Sequence, residues 1–470
     1  SGIVNLQWAA GGAATNYTVC IECSPDNGIT WTNVVCGWPA ASGSYLWNSV
    51  PYGRSALGAW RIYCVEDYGV MAASLSPFLL RNGGTIPYYV NDASTNGDVF
   101  CTAAGNNANH GLTPDKPKAS LQAILDSYEL DPEDVVYVDA GTYMAGAPPI
   151  AINESDSGYS NLYVTVQGST NPAARTVFQA PSISTPYVFT MDYAVNVRLR
   201  DLTIRGAQIG IKAYQTIGCV FDRVRIENNR AYGLSLNFGV DTRVVRSILW
   251  QNNSTTGGVA VALNNSSLAI ENSVVWDSPV AVFLDVSSLT VTNSVLEANG
   301  VNGRIYYFAA SANAQTAFKG DFNSYLRRNS ALLAEQAMSV GGNDYYSSLP
   351  GWSALNGSDR HSMTLDPQFA NAVNGDFHPR STGGRYVEAT RSWTNDLVLS
   401  PLVDAGSSDW PIGSEPAPNG DIVNVGAYGG TAQASMTQTN PWLRVVSFNE
   451  EGIMSGNVLL YWLHGGLTGD

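Results

Sequence analysis

A dense set of paired charges lies between residues 198 and 246: Arg198, Arg200, Asp201, Arg205, Asp222, Arg223, Arg225, Glu227, Arg230, Asp241, Arg243 and Arg246. Guanidinium groups grip carboxylates and hydroxyls through a planar fork of donors, and carboxylates accept from hydroxyls. Such a set suits a groove for a sugar chain, with Arg200, Asp201, Asp222, Arg223, Arg225, Glu227, Arg243 and Arg246 as the candidate glycan-binding residues. The same alternation of sign also builds a solvated, self-paired surface. Cleavage asks for more. Elimination from a uronate needs a basic residue beside the carboxylate, and Ca²⁺ or Arg/Lys to neutralise it. Hydrolysis needs two or three carboxylates on neighbouring strands. None of His110, His361, His378 and His464 has a Ser or Cys arrangement that suggests a triad, and His361 and His378 read as turn residues. No catalytic residue is assigned.

A loop carrying Asp92, Asn96 and Asp98 offers oxygen ligands for Ca²⁺, the one cofactor the chain suggests, although Asx residues favour loops in any case. Cys20, Cys23, Cys36 and Cys64 crowd the first 64 residues. A single C-x-x-C with no second one argues against zinc and for two disulfides in an exported β-domain, their connectivity open. Cys219 holds an apolar position and reads as a free buried thiol.

The charged set must be positioned by repeated strands. Five lines centred on Leu202, Val224, Ile248, Val274 and Val295 alternate apolar and polar residues and are punctuated by Asn, Ser, Asp or Gly. They recur about every 21 to 26 residues, a period of stacked β-solenoid coils. Those five residues are expected to form one interior ladder, with Thr203, Arg225, Leu249, Val275 and Leu296 facing out. Arg205 and Glu227 should pair between neighbouring rungs, and Trp250 and Trp276 should stack on each other.

The chain has 470 residues, 44% of them hydrophobic, enough for a large core and more than one domain. No run of 18 apolar residues exists, so no membrane insertion is expected in this segment. A net charge of −15 argues against nucleic acid, and against acidic polysaccharides unless cations bridge them.

Residues 1–82 alternate in short strands separated by turn clusters, which predicts a β-sandwich. The pattern Asn16-Tyr17-Thr18-Val19, Asp26-Asn27-Gly28, Trp31 and Tyr45-x-Trp47-x-x-Val50-Pro51 resembles a fibronectin type III or immunoglobulin-like module. From Tyr88-Tyr89-Val90, through Ser120 and the Leu121, Ile124, Leu125, Tyr128 stripe of a short helix, to Gly141-Thr142-Tyr143, the chain resembles the N-terminal cap of pectate-lyase-like right-handed parallel β-helix proteins of bacterial surfaces. Pro132-Glu133-Asp134 stands where that pattern has Pro-Gly-Asp. The paired aspartates and Gly-His-Gly of polygalacturonases are missing, as are the clustered aspartates and Arg-x-Pro-x-x-Arg of pectate lyases. Gly357-x-Asp359-x-His361-Ser362, Gly375-Asp376-Phe377-His378, Asp404-Ala405-Gly406, Glu415-Pro416-x-Pro418-Asn419-Gly420 and Asn424-Val425-Gly426-Ala427-Tyr428-Gly429-Gly430-Thr431 resemble the terminal coils of large exported β-helix proteins. Between these, Leu326–Met338 is expected to form a short helix. Residues 455–470 align on residues 1–16 and are expected to open a second sandwich.

The expectation is therefore an all-β chain. A sandwich (1–82) precedes a right-handed parallel β-helix with its cap (85–435), a linker (436–454) and the first strand of a next unit (455–470). Its functional reading is a structural repeat unit of a large exported tandem-repeat protein, forming a surface fibre, coat or adhesin. Neighbouring copies are the expected partners and the cell surface or exterior the expected place. A carbohydrate-active enzyme or binding module acting on an extracellular glycan is the alternative.

Overall fold

The computed structural model of the chain describes all residues except 1, 54, 81, 83, 84, 146, 253–257, 448, 450–458 and 466–470. Its centre is a coil of three parallel sheets. The first face contains Pro87–Val90, Val135–Val138, Val164–Gln167, Val197–Arg200, Val220–Asp222, Thr242–Val245, Ser267–Glu271, Ser288–Thr292 and Phe318–Asp321. The second contains Gly141–Met144, Thr176–Gln179, Leu202–Arg205, Arg225–Glu227, Ile248–Trp250, Val274–Trp276, Val295–Asn299 and Ser324–Arg328. The third runs from Ile150–Ile152 through Tyr187–Asp192 and Tyr232–Asn237 to Leu332–Gln336, and ends on the antiparallel strand Asp344–Tyr346. Each turn of the chain visits the three faces in order, so every strand pairs with its counterpart one coil away.

The first and second faces meet at a corner of one or two residues. Asp201, Arg223, Arg246, Asn272, Asn293 and Phe322 all take positive φ, between 43° and 58°. Buried hydrogen-bonded ladders hold the coils in register there. Val224 N–H donates to Ser247 Oγ at 3.0 Å. Ser247 N–H donates to Ser273 Oγ, and Ser273 N–H to Ser294 Oγ, each at 3.1 Å. At the next corner Asn229 Nδ2 donates to Asn252 Oδ1 at 2.9 Å. These bonds satisfy backbone and amide groups that no water reaches.

The serine ladder corrects the expected interior column. All five of its residues are buried, but they do not share one column. Val224 is followed by Ser247, not by Ile248, because Arg225 is the residue opposite Ile248. Leu202 and Val224 belong to the coil core, with Ile204, Ile226, Leu249, Val275 and Leu296. Ile248, Val274 and Val295 lie in a second core, on the outside of the coil, under Met363, Phe369, Phe377, Leu402 and Val425. A one-residue slip flips a strand's faces. Ile248-Leu249-Trp250 and Val274-Val275-Trp276 are apolar on both faces because both faces are covered, so period two leaves their register open. Trp250 and Trp276 do pair in register, but each ring meets Phe377 edge-on, at 6.2 and 5.8 Å between centroids. Arg205 and Glu227 pair as expected, at 3.5 Å.

Both ends of the coil are closed. Ser120 caps Leu121–Leu125, and Leu121 and Ile124 are buried against Tyr88 and Val136. Glu133 adopts φ 73°, the conformation a glycine holds without strain. At the far end Trp352, on the helix Leu349–Asn356, stacks on Tyr306 at 5.7 Å. The helix expected over Leu326–Met338 is instead strand: Ser324–Arg328 and Leu332–Gln336 form a further coil.

Ahead of the coil, Ile3–Gln7 pairs with Ser44–Asn48. Thr32–Pro39, Thr18–Ser24, Ser55–Cys64 and Met71–Ala73 form a second antiparallel sheet around Ile21, Trp47 and Ile62. One disulfide forms there, Cys20–Cys36, where two are expected. Cys23 and Cys64 are free and buried. Cys64 stands opposite Val19, four residues along the strand from Cys23, which is ~13 Å and beyond bridging range. Cys219 is a buried free thiol whose pKa burial pushes up to about 11. Much of the stretch expected to open a second sandwich, 455–470, lies outside the described residues. The strand in its described part, Trp462–Gly465, pairs antiparallel with Trp442–Val445, and Leu463 and Val446 are buried in the outer core.

Candidate functional site

The second face carries the charged set outward. Thr203, Arg225 and Ile248 succeed one another in one outward column, and Arg205, Glu227 and Trp250 in another. The column turns from polar to apolar because the C-terminal segment covers the later coils and stands off the earlier ones. Between this face and the wall formed by residues 374–433 run two adjoining cavities of about 450 and 650 Å³. Both are bordered by Arg175, Arg225, Glu388 and Tyr428.

Two charge networks organise the groove. At the corner, Arg223 holds Asp201 through two bonds, Nε to Oδ1 at 2.7 Å and Nη2 to Oδ2 at 2.6 Å. Asp222, nearly buried beneath, faces Arg200 at 3.1 Å and Arg246 at 2.9 Å. Burial works against the charge of Arg223, but its bonds to Asp201 outweigh it and its pKa rises. Burial and the neighbouring Arg223 pull Arg200 down. Further along, Arg225 pairs with Glu227 and donates from Nη1 to the Gly375 carbonyl at 2.9 Å. Its guanidinium lies 4.9 Å from the centre of the Trp250 ring. Gly375, at φ 77°, is a close approach: a Cβ there would stand 2.0 Å from Arg225 Nη2. Arg205 donates to Gln179 at 2.6 Å. Arg175 joins floor to wall through Glu388 at 2.5 Å.

The wall adds a stacked pair. His378 lies on Tyr428 with centroids 3.5 Å apart and planes 17° apart. Its Nδ1 meets Asp376 Oδ1 at 2.6 Å, and its buried Nε2 has no partner. Burial raises the Asp376 pKa, but the bond to His378 prevails and holds it low. Burial raises the pKa of Tyr428 well above the phenolic range.

Of the eight candidate glycan-binding residues, Arg200, Asp201, Arg223, Arg225, Glu227 and Arg246 border the groove. Asp222 supports it from below. Arg243 stands apart on the first face, where it pairs with Glu271 at 2.5 Å. Arg175, Asp376, Glu388 and Tyr428 line the groove and are missed in sequence because they come from distant stretches with no repeat. The Gly375–His378 and Asn424–Thr431 patterns signal Asp376 and Tyr428, and no pattern signals Arg175 or Glu388. In the capping loop, Asp92 accepts from Ser94 N–H at 2.7 Å, Asp98 accepts from Asn91 Nδ2 at 2.6 Å, and Asn96 N–H donates to Ser94 Oγ at 3.1 Å. Among the described residues no three His, Cys, Asp or Glu side chains are grouped to hold a metal.

Comparison with known proteins places the coils. A family model described as a right handed beta helix region matches residues 188–321. Among solved structures, pectate lyase Pel9A is 16% identical over 73% of this chain and 97% of its own, with a TM-score of 0.37. An alginate lyase from Paenibacillus sp. str. FPU-7 is 13% identical over 44% of this chain and 84% of its own, with a TM-score of 0.33. The Agl-KA catalytic domain is 12% identical over 72% of this chain and 63% of its own, with a TM-score of 0.27. No curated protein matches. At such identities and scores nothing of their activity passes to this chain. The three parallel sheets and the family match together make the middle of the chain a right-handed parallel β-helix.

Proposed function

We propose that this chain binds an extracellular glycan bearing carboxylates in the groove between the second face and the C-terminal wall. The observation that carries the reading is the row of Arg175, Arg200, Arg205, Arg223, Arg225 and Arg246 along one groove of a chain whose net charge is −15. The cations are gathered where a sugar acid would lie. Their carboxylate partners hold the guanidinium forks in place and leave outward N–H groups for ligand oxygens. The net charge of −15 argues against acidic polysaccharides unless cations bridge them, and this row of arginines would supply fixed cations for that purpose. The reading is the carbohydrate-active or carbohydrate-binding alternative rather than the fibre, coat or adhesin unit. The Cys20–Cys36 disulfide supports an extracellular or cell-surface place.

The test is calorimetric titration of the chain with oligogalacturonate and oligomannuronate against neutral cello-oligosaccharides. Binding of the acidic series, weakened at least about tenfold by Arg205→Glu or Arg246→Glu, is the expected result. Equal binding of the neutral series, or no response to either charge reversal, would overturn it. The ultraviolet absorbance of an unsaturated uronate in the same mixtures reads out whether elimination follows binding.

A further inference from the structure

We propose that Asp404, Glu415 and Thr437 form a buried calcium site that braces the C-terminal wall. Residues 400–437 contain no helix or strand, and turns alone lay out their backbone. Within them Asp404 is 2% exposed, Glu415 7% and Thr437 4%. Four oxygens of these three side chains are buried with no hydrogen-bond partner: Asp404 Oδ1 and Oδ2, Glu415 Oε2 and Thr437 Oγ1.

Asn424 ties the two acids together, its Oδ1 accepting from Asp404 N–H and its N–H donating to Glu415 Oε1, each at 2.8 Å. The Thr437 hydroxyl stands beside the Asp404 carboxylate and favours its charged form. The backbone of Gly420, at φ 58°, comes so close that a Cβ would lie 2.4 Å from Asp404 Oδ2. Arg444 acts on Asp404 from nearby, but among the described residues it makes no ion pair and donates instead to the carbonyls of Ser400 and Leu399 at 3.1 and 2.9 Å. Asp421 adds a further negative charge beside Asp404.

Two dehydrated carboxylates and a hydroxyl, all oxygen, form the donor set of a hard cation that tolerates irregular geometry. That description fits Ca²⁺ better than Mg²⁺, which keeps its waters and demands an octahedron. Unpaired buried carboxylates are costly, and a bound cation removes that cost. The consequence reaches the groove. The other Glu415 oxygen accepts from Gly430 N–H at 2.7 Å, and Gly430 lines the cavity beside Ser414 and Tyr428. Calcium there would brace the wall whatever the groove binds.

The experiment uses the full chain, stripped with a chelator and titrated with calcium chloride at pH 7.5. Bound calcium is measured by equilibrium dialysis and the unfolding midpoint by circular dichroism. One calcium per chain and a raised midpoint are expected. Asp404→Asn and Glu415→Gln should lose both, and Asp98→Asn in the capping loop should keep both. Thr437→Val removes one oxygen at nearly constant shape and should weaken uptake in a folded protein, even if the acid variants fail to fold. No uptake by the wild type would overturn the site. So would uptake that survives unchanged in Glu415→Gln and Thr437→Val, or uptake lost in Asp98→Asn instead.

Discussion

Glu297 is wholly buried in the second face. One oxygen accepts from Asp277 N–H at 2.6 Å and the other faces Arg328 at 3.5 Å. Burial outweighs both and pushes its pKa up to about 7. The folded chain therefore holds this proton more tightly than the unfolded chain, whose Glu titrates near ~4.3. Its favourable contribution is complete below that value and is lost as pH rises through about 7. Glu297→Gln removes the titration and keeps a carbonyl acceptor for Asp277 N–H. It should stabilise the chain at pH 8 by about 3 kcal/mol and at pH 5 by only about 1 kcal/mol, read from denaturant melts. An equal gain at both pH values would show that Glu297 does not titrate in this window. The charged residues around it differ in how they reveal themselves. The Arg and Asp set at 198–246 is legible because it recurs with the coil period. Arg175, Glu388 and Tyr428 are not, because only the folded chain brings residues some 200 apart to one groove.

Strands, corners and caps were readable wherever one face is dry and the other wet. The capping helix at Leu121–Leu125 carries both its stripe and its Ser120 cap in the sequence. From Ile248 onward the coils sit one residue away from where period two alone places them, for a physical reason: the C-terminal segment dries their outer face, so both faces are apolar. Leu326–Met338 fails in the same way, since Leu326, Leu333 and Ala334 are all covered or partly covered and imitate a helical stripe. The two faces can be separated by substitution. Leu249→Asp buries a charge in the coil core and should prevent the coil from folding. Val274→Asp places the same charge under Phe369 and Phe377 and should detach only the C-terminal segment. Limited proteolysis then separates the two outcomes. The Val274 variant should be cut after residue 363 and leave a protease-resistant coil, and the Leu249 variant should be degraded throughout. Identical patterns would mean that the segment and coil fold as one cooperative unit.

At the scale of the molecule, a groove of arginines is carried by a body with a net charge of −15. These two fields act at different distances. The Debye length falls from ~30 Å at 0.01 M salt to ~10 Å at 0.1 M. A polyanionic glycan approaching at low salt meets the repulsion of the whole chain before it reaches the guanidinium groups. Adding salt screens that long-range repulsion first, whereas contacts made within ~4 Å in a partly buried groove are screened much less. The association rate of oligogalacturonate should therefore rise between 0.01 and 0.1 M salt, the reverse of steered binding to a basic protein. The dissociation rate should rise over the same range, as the Arg–carboxylate contacts weaken. Surface plasmon resonance with immobilised oligogalacturonate separates the two rates. A neutral oligosaccharide should show neither trend. An association rate that falls steadily with salt would mean that the groove's own field already dominates at a distance, and that the acidity of the body plays no part in selecting what enters.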